Sequence, residues 1–380
     1  MKRKNSILQS GLYVHIPFCR SKCPYCAFYS IASQSLIPRW VEALKSECRL
    51  VSGSLKDRFQ SFNTIHFGGG TPSILDPGIL ERIMKCLLAH FSFSGLCEVA
   101  MEANPLDLTA ERVSAIRSLG FTRVVVGAQS FSEKSLAFLG RKHSGRDVRN
   151  AMEVLRREGF QNTGIDLIYG IQGQTIEEWT ADLEKAVAFS PAHISCYCLS
   201  LEDGTRFGRM AHKGDLATLS SEKEREFFLA ASDFLGRRGY IHYEVSNFAR
   251  GRQFESRHNL KYWRREPYLG LGPSAHSFDG TARWWNIRSI KGYCEALEKG
   301  SLPVDDREDL TAEQTALEKV AMGLRIREGF SLDEETRHWI RTDRIEAMEK
   351  EGLIVREGMN VAPTMNGFLV ADRLPLELVV

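Results

Sequence analysis

Three cysteines lie within eight residues near the start of the chain, in the stretch YVHIPFCRSKCPYC. They are Cys19, Cys23 and Cys26, which gives the spacing CxxxCxxC, and the next cysteine is Cys48. Cysteine thiolates are the usual ligands of iron–sulfur clusters, and three of them would leave the fourth iron of a cubane free for an exchangeable ligand. A structural zinc site is closed by four protein ligands, so the missing fourth ligand weighs against zinc. Taken alone, a bare CxxxCxxC is still compatible with zinc or with coincidence.

Further along the chain, glycines and isolated polar residues follow apolar runs. The loop 68–72 (GGGTP) follows one run, and Glu102, Gln129 and Asp166 lie at or near the ends of three others. Glycines let a small polar ligand approach the backbone, and a parallel barrel collects its site residues at the ends of its strands. Each feature also has a plainer explanation. The glycines would form a tight turn before a helix, and the polar residues would cap helices or hydrate the rim.

The elements that must position these residues repeat a short β-rich run followed by a helical stretch. The sequence predicts strands at 12–16, 63–67, 97–102, 123–129, 163–170 and 193–201, and helices near 38–51, 77–90, 109–119, 176–189 and 221–237, with further helical stretches up to 159. Such units indicate a parallel sheet covered by helices, and runs such as RVVVG suit strands buried on both faces. Six units are too few for an eight-fold barrel, so we expect an α/β fold with a partial (β/α)6 barrel.

The pattern changes after the sixth unit, and we divide the chain into three segments. Residues 1–248 form the barrel domain, and residues 249–309 form a connector rich in aromatic residues, glycine and histidine that carries the stretch HNLKYW. Residues 310–380 are predicted to form a helical α+β module like a winged helix, because 342–374 shows a helix, a strand, a turn and a strand. Its charges mix both signs, which favours a lid or packing role over DNA binding.

Composition bears on three questions: whether the partner is a nucleic acid, whether the chain enters a membrane, and which redox compartment it occupies. A formal net charge of +2 shows no basic excess that would indicate nucleic acid as a partner. The first 16 residues have no apolar core of a signal peptide, and no run approaches the roughly 18 apolar residues of a membrane helix, so only peripheral membrane association stays open. Nine unevenly spaced cysteines indicate reduced thiols and a cytoplasmic protein. Both a monomer and a homodimer are compatible with the sequence.

A set of ordered motifs resembles a known family. YVHIPFC, FGGGTPS, MEANP, GAQSF, LGRKHS and DLIYG occur in the order and spacing of the oxygen-independent coproporphyrinogen III oxidase-like group of radical S-adenosylmethionine (SAM) proteins. YEVSNFA, HNLKYW and YLGLGPSAHS resemble the HemW-type heme chaperones within that group. These motifs run from Tyr13 to Ser277, which is most of the chain.

The resemblance implies a radical-SAM barrel, a 4Fe-4S cluster held by the three cysteines, and SAM on the open iron. It also implies reductive cleavage of SAM, which needs a low-potential electron donor. Arg141 would pair with the SAM carboxylate in a fork geometry that lysine does not reproduce. By the same resemblance, the residues that contact SAM are Tyr13, Tyr25, Gly69, Gly70, Thr71, Glu102, Gln129, Arg141 and Asp166.

The resemblance also implies heme, through the HNxxYW motif of the chaperones. Histidine is a common axial ligand of heme iron, and tyrosine and tryptophan rings can pack on a porphyrin face. The residues that this motif assigns to heme are His258, Asn259, Tyr262 and Trp263. The plainer alternative for His258 is a hydrogen-bonded structural histidine. His276 and Cys294 are weaker candidates for the heme ligand, and His15 and His66 are expected in the barrel interior.

Departures from the family patterns favour a heme chaperone that passes heme to an acceptor protein. Phe28 stands where the oxidases carry a fourth cysteine, and only a short segment precedes Tyr13. Ala27 and the pair 273–274 differ from the usual chaperone residues without touching the cluster or SAM positions. The alternative is an oxygen-independent coproporphyrinogen III oxidase, which decarboxylates propionates by a 5′-deoxyadenosyl radical. A radical-SAM enzyme with another substrate is a third hypothesis, so whether the chain is an enzyme stays open.

Overall fold

A computed structural model describes residues 9–55 and 57–379 of the chain. Residues 1–8, on which half of the signal-peptide prediction rests, lie outside the described residues. All nine cysteines are in the described part, and none of them forms a disulfide there. None of the helices in the described ranges combines the length and the apolar character that crossing a membrane needs.

The first part of the chain alternates strands and helices as the sequence predicts. Its strands are β1 (Ser10–Ile16), β2 (Phe62–Gly69), β3 (Phe93–Ala103), β4 (Arg123–Gln129), β5 (Asn162–Tyr169) and β6 (His193–Cys198). Its helices are α1 (Ile37–Ser54), α2 (Pro77–His90), α3 (Ala110–Ser118), α4 (Glu133–Phe138), α5 (Gly145–Arg157), α6 (Ile176–Ala188), α7 (Arg206–His212) and α8 (Ser221–Gly236). The six strands pair in parallel in chain order, so their carboxyl ends lie at one rim.

Burial of the strands on both faces holds this barrel together. Leu12, Val14 and Ile16 of β1 are 0% exposed, and so are most apolar residues of β4. Helices cover the outside and place their largest side chains, Trp40 and Trp179, against the sheet at 0% exposure. Apolar surface removed from water at roughly 25 cal/mol per Å² is the main force that closes such a layer. The predicted α/β class with a partial barrel is confirmed.

Four later strands extend one edge of the sheet, and two extend the other. Strands β7 (Ile241–Glu244) and β8 (Asn247–Ala249) are antiparallel and follow β6 in the sheet. Strand β9 (Tyr268–Leu271) pairs in parallel with β1, and β10 (His276–Phe278), β11 (Ala282–Asn286) and β12 (Val304–Asp309) continue from it. The described residues thus form a twelve-stranded sheet that takes in much of the segment 249–309.

The end of the chain forms a small α+β module. After α9 (Arg257–Trp263) and α10 (Ile290–Glu298) come α11 (Ala312–Gly323), β13 (Phe330–Ser331), α12 (Glu334–Arg337), α13 (Thr342–Lys350), β14 (Ile354–Glu357), β15 (Asn360–Pro363), α14 (Met365–Phe368) and α15 (Leu374–Leu378). The three short strands make an antiparallel sheet with β15 in the middle. Helices and sheet share an apolar core that includes Leu324, Ile345 and Val361. The segment is thus an α+β unit, and its likeness to a winged helix stays a prediction.

Candidate functional site

The three cysteines project from a loop that joins β1 to α1. Two backbone hydrogen bonds close the base of this cysteine loop (residues 17–31): Ile31 N donates to Pro17 O at 2.8 Å, and Cys19 N donates to Ile31 O at 3.0 Å. Within the loop, Cys26 N donates to Cys23 O at 3.2 Å and forms a turn. All three thiols are partly exposed. Burial and the neighbouring thiols of Cys23 and Cys19 raise the pKa of Cys26, which shows that the three sulfurs share one environment.

The donor set suits a cluster better than a single ion. Among the residues that the structure describes, no three His, Cys, Asp or Glu side chains converge in a way that could hold one metal ion. A cubane needs no such convergence, because each thiolate binds a different iron. Three soft sulfur donors on one closed loop therefore fit an iron–sulfur cluster with one iron left for another ligand.

The glycine-rich loop after β2 runs directly beneath the cysteine loop. Gly70 N donates to Ile16 O at 2.8 Å, and a Cβ on Gly70 would lie 2.5 Å from Phe18 O. Gly69 has φ +101°, and a Cβ there would lie 2.5 Å from the His15 ring. Only glycine permits both the backbone conformation and this close approach. The glycines thus bring the end of β2 against the end of β1.

Two side chains connect the barrel to the cysteine sulfurs. The Thr71 hydroxyl donates to Cys19 Sγ at 3.4 Å, and Arg141 Nη1 donates to Cys23 Sγ at 3.7 Å. Arg141 Nη2 also donates to Gly127 O at 2.8 Å, which fixes the guanidinium against β4. These contacts place a hydroxyl group at one of the three sulfurs and a guanidinium at another.

A small cavity of about 100 Å³ opens at the rim where the strands end. We call it the strand-end cavity, and its wall contains six of the nine residues predicted to contact SAM: Gly70, Thr71, Glu102, Gln129, Arg141 and Asp166. Gly69 is adjacent in the glycine loop. The other two lie outside this wall: Tyr25 packs near Phe207, with ring centroids 6.5 Å apart, and Tyr13 lines a different cavity.

The wall of the strand-end cavity contains a strained backbone position and a donor without a partner among the described residues. Gln129 has φ +68°, at an irregularity in the pairing of β4 with β5 that re-aims its side chain. The buried Nε of Arg141 has no hydrogen-bond partner among the described residues. Buried donors are rarely left unpaired, so this atom fits an acceptor such as a ligand carboxylate. Burial raises the pKa of Asp166 to about 6, and the Ser195 hydroxyl opposes that shift.

A line of rings leads away from the strand-end cavity through the barrel interior. His66 Nε2 and Glu102 Oε1 share a hydrogen bond at 3.1 Å. The His66 ring stacks on His258 with centroids 5.1 Å apart, and Tyr13 stacks near both, at 6.0 and 6.3 Å. The structure places the rings of His15 and His66 among these side chains of the barrel. The role of the two histidines stays a prediction.

A second cavity of about 360 Å³ lies on the far side of this line, between the cysteine loop and strands β9 to β11. We call it the aromatic cavity, and its wall contains Tyr13, His15, Ala27, Phe28, Tyr29, Tyr262, Tyr268, Ser274, His276 and Arg288. Its volume lies in the range of small-molecule sites, and aromatic side chains dominate its lining. The sequence did not reveal this cavity, although the motif YLGLGPSAHS contributes three of its residues.

Two glycines and a buried carboxyl fix the loop that carries His276. A Cβ on Gly270 would lie 2.2 Å from His276 O, and a Cβ on Gly272, which has φ +99°, would lie 2.6 Å from His15 O. Glu47, 1% exposed, accepts from Gly272 N at 2.8 Å, and it also accepts from the side chains of Asn286 and Tyr293. Burial raises the pKa of Glu47 to about 7.

The stretch HNLKYW forms α9, and its residues face different surroundings. His258 is 1% exposed, and both of its ring nitrogens are hydrogen-bonded at 2.8 Å, Nδ1 to Thr64 Oγ1 and Nε2 to the Tyr262 hydroxyl. Tyr262 is the one member of the four predicted heme residues in the wall of the aromatic cavity. Asn259 is partly exposed on the helix, and Trp263 packs against the cluster of Tyr243 and its neighbours. Ligation of heme by His258 stays a prediction.

Two wider grooves, of about 620 and 650 Å³, lie on the outer helices α5 and α6. Their walls include Arg146, Arg149 and Arg156 but none of the cysteines or strand-end residues. These grooves are therefore separate from the strand-end cavity and the cysteine loop.

Comparison with known proteins gives a consistent result. The sequence profile of the Radical SAM superfamily matches residues 13–186. Heme chaperone HemW of Mycobacterium tuberculosis (strain CDC 1551 / Oshkosh) is 35% identical over 367 residues, which cover 95% of this chain and 93% of that protein. Heme chaperone HemW of Bacillus subtilis (strain 168) is 34% identical over 322 residues, which cover 84% of each chain.

One solved structure is similar over nearly the whole chain. Coproporphyrinogen III oxidase (HemN) from Escherichia coli, a radical SAM enzyme, superimposes with a TM-score of 0.81 over 97% of this chain and 89% of that chain. The two sequences are 23% identical, so this likeness shows the fold alone.

Proposed function

This chain belongs to the radical SAM superfamily and, within it, to the HemW family, and we propose from this that it is a heme chaperone that binds heme and passes it to an acceptor protein. The observation that carries the proposal is the aromatic cavity at the cysteine loop, where Phe28 of that loop forms part of the wall. A flat apolar macrocycle suits a cavity lined by aromatic rings.

Membership of the superfamily implies a 4Fe-4S cluster and SAM, which together supply one-electron chemistry when they are bound. We propose that Cys19, Cys23 and Cys26 hold the cluster. The unpaired Nε of Arg141 would bind the carboxylate of SAM. The other residues proposed to orient SAM lie in the wall of the strand-end cavity, or next to it in the case of Gly69; they are Gly69, Gly70, Thr71, Glu102, Gln129 and Asp166. Tyr25 and Tyr13 would contact SAM from the side of the cysteine loop.

The partners follow from the same proposal. A chaperone that releases heme needs an acceptor protein, and a cluster of this kind needs a low-potential electron donor. We propose a cytoplasmic location, because nine free thiols are stable in a reducing compartment. We further propose that heme lies against α9, since Tyr262 of the set His258, Asn259, Tyr262 and Trp263 lines the aromatic cavity.

The test is a heme titration of anaerobically reconstituted protein, combined with transfer to heme-free apomyoglobin as a stand-in acceptor. We expect heme binding to saturate. We also expect the myoglobin spectrum to appear faster when this protein supplies the heme than when albumin supplies it. The absence of saturable binding by protein with an intact cluster would overturn the proposal.

The oxidase alternative is tested separately with coproporphyrinogen III, SAM and a reductant. Phe28, which is 66% exposed in the cysteine loop, stands at the position of the additional cysteine in the oxidases and argues against that activity. We expect no protoporphyrinogen under conditions in which an authentic oxidase forms it. Product formation would make this chain an enzyme of heme synthesis.

A further inference from the structure

We infer that His276, rather than His258, is the axial ligand of heme iron, and that Arg288 pairs with a heme propionate in the same aromatic cavity. This inference rests on the proposed function, because it assigns the binding site of the heme that a chaperone would carry. It starts from the histidines close to the cavity and from the hydrogen bonds that each of them makes.

Two of these histidines have no nitrogen to offer. His258 uses both ring nitrogens, with Thr64 and Tyr262, is 1% exposed and is not part of the cavity wall. His15 lines the cavity but is also bonded at both nitrogens, Nε2 to Tyr29 O at 2.9 Å and Nδ1 to the Tyr13 hydroxyl at 3.2 Å. Coordination of iron by either ring would break a hydrogen bond in a buried place, which costs about 1–3 kcal/mol for the abandoned partner.

His276 differs in every one of these respects. It is exposed at the start of β10 and lines the aromatic cavity, and neither of its ring nitrogens has a hydrogen-bond partner among the described residues. Its ring stacks on Trp285 with centroids 5.6 Å apart and an interplanar angle of 29°, so the ring is held in one orientation.

The rest of the wall suits the remaining parts of heme. Phe28 of the cysteine loop, at 66% exposure, presents an apolar ring to the cavity, and Tyr29 and Tyr262 add aromatic surface. Arg288 is exposed at the rim with its Cζ 5.9 Å from the Tyr29 ring, and no carboxylate of the described residues pairs with it. A free guanidinium at the mouth of an apolar cavity fits a propionate, because guanidinium binds carboxylate in two parallel hydrogen bonds.

Heme in the aromatic cavity would contact the cysteine loop through Ala27 and Phe28, immediately after Cys26. It would also rest on Tyr13 and Tyr262, the rings that connect to His66 and Glu102 at the strand-end cavity. The aromatic cavity is open on the side of Arg288, which suits a ligand that is later released to an acceptor protein.

The first experiment compares His276→Ala with His258→Ala and with His338→Ala, a matched control because His338 is also exposed and beside a tryptophan ring, at 5.0 Å from Trp339. Ferric heme is titrated into each anaerobically reconstituted protein and followed by the Soret band and by electron paramagnetic resonance. We expect His276→Ala to lose the histidine-ligated spectrum and at least tenfold in affinity, and added imidazole to restore the spectrum. His338→Ala should match the wild type, and His258→Ala should keep the ligated spectrum.

The outcomes separate the inference from the proposed function. If wild-type protein takes up no heme, the chaperone proposal itself is overturned. If it binds heme and His276→Ala keeps the wild-type spectrum, only the assignment of His276 as the axial ligand is overturned. A loss of the ligated spectrum in His258→Ala with His276→Ala unaffected would assign the iron to α9 instead.

A second measurement tests Arg288 with heme and heme dimethyl ester, which lacks the free carboxylates. Wild-type protein should prefer heme over the ester by about tenfold, and Arg288→Gln should remove that preference while its affinity for the ester stays unchanged. An equal preference in wild type and Arg288→Gln would contradict the role of Arg288.

Discussion

The Arg141 guanidinium donates to the Cys23 sulfur at 3.7 Å, so one side chain connects the cysteine loop with the strand-end cavity. Its other amino group is held by Gly127 O, and its Nε points to no described partner. A planar guanidinium donates in these three directions at once, whereas the ammonium group of lysine is a single point charge. Residue 141 therefore contacts the cysteine loop and also contributes the positive charge in the wall of the strand-end cavity, beside Glu102 and Asp166.

Arg141→Lys keeps the positive charge but removes the planar guanidinium, whose N–H groups can donate to both oxygens of a carboxylate. We expect SAM affinity to fall about tenfold or more, since a hydrogen bond to a charged group contributes about 1.5–3 kcal/mol. Anaerobic equilibrium dialysis with labelled SAM measures this, with Arg149→Lys on the outer helix α5 as the control. Equal SAM affinity in Arg141→Lys and wild type would show that the guanidinium does not bind SAM.

Cys23→Ala should abolish the brown absorbance that appears after anaerobic reconstitution with iron and sulfide. Two thiolates cannot hold a cubane as stably as three, so bound iron should fall toward zero. Cys294→Ala, in which a buried cysteine of α10 outside the cysteine loop is changed, is the matched control and should reconstitute normally. A stable cluster in Cys23→Ala would remove the central assignment of the site.

Cys86 should be the most reactive thiol outside the cysteine loop. A hydrogen bond from the Cys48 thiol, with a further contribution from His90 at 3.7 Å, lowers the pKa of Cys86 to about 6. Iodoacetamide labelling read by peptide mass spectrometry should show half-maximal reactivity near pH 6 for Cys86. Cys97, whose pKa is raised to about 11 by burial, should label slowly at pH 7 in the same sample. Cys48→Ala should slow the labelling of Cys86, and an unchanged rate would contradict the role of Cys48.

Glu47→Gln tests the buried carboxyl that anchors the His276 loop. The folded-state pKa of Glu47 is about 7, raised above its ordinary value of 4.5, so the folded protein binds this proton more tightly than the unfolded chain. Relative to Glu47→Gln, the wild type should lose stability as pH rises from about 4.5 to about 7, by on the order of 3 kcal/mol, and then show no further change. Thermal unfolding of both cluster-free proteins between pH 4.5 and 8.5 measures this difference. A pH-independent difference would show that Glu47 stays ionised throughout.

Much of the barrel could be predicted because its signals are local. The predicted bounds of α2 and β4 coincide with the observed ones. Helix α2 begins at Pro77, and the Asp76 side chain caps it by accepting from Gly78 N. Strand β4 is the run RVVVGAQ, whose apolar residues are buried on both faces. In both cases neighbouring residues alone decide where the element begins.

The aromatic cavity could not be predicted, because no local signal describes it. Its wall combines Tyr13 of β1 with Arg288, which lies far away in the sequence, and strands β9 to β11 are only three to five residues long. The burial of His258 also depends on a distant partner, since Thr64 lies 194 residues before it. The motif HNLKYW therefore indicates where α9 is and leaves open what its histidine does.

The two glycines that support the His276 loop have a consequence for the evolution of the cavity. Any side chain at 270 or 272 would meet backbone at 2.2 or 2.6 Å, so neither position can vary without moving β1 or β10. Residues 28 and 288 line the same cavity and are exposed, so their side chains have room to change. Relatives that accept differently substituted tetrapyrroles are therefore expected to differ at these two positions while they keep His276 and the same pair of glycines. The part of this binding surface that can vary thus lies on the cysteine loop and after β11, and the part that cannot vary lies in β9, the start of β10 and the loop between them.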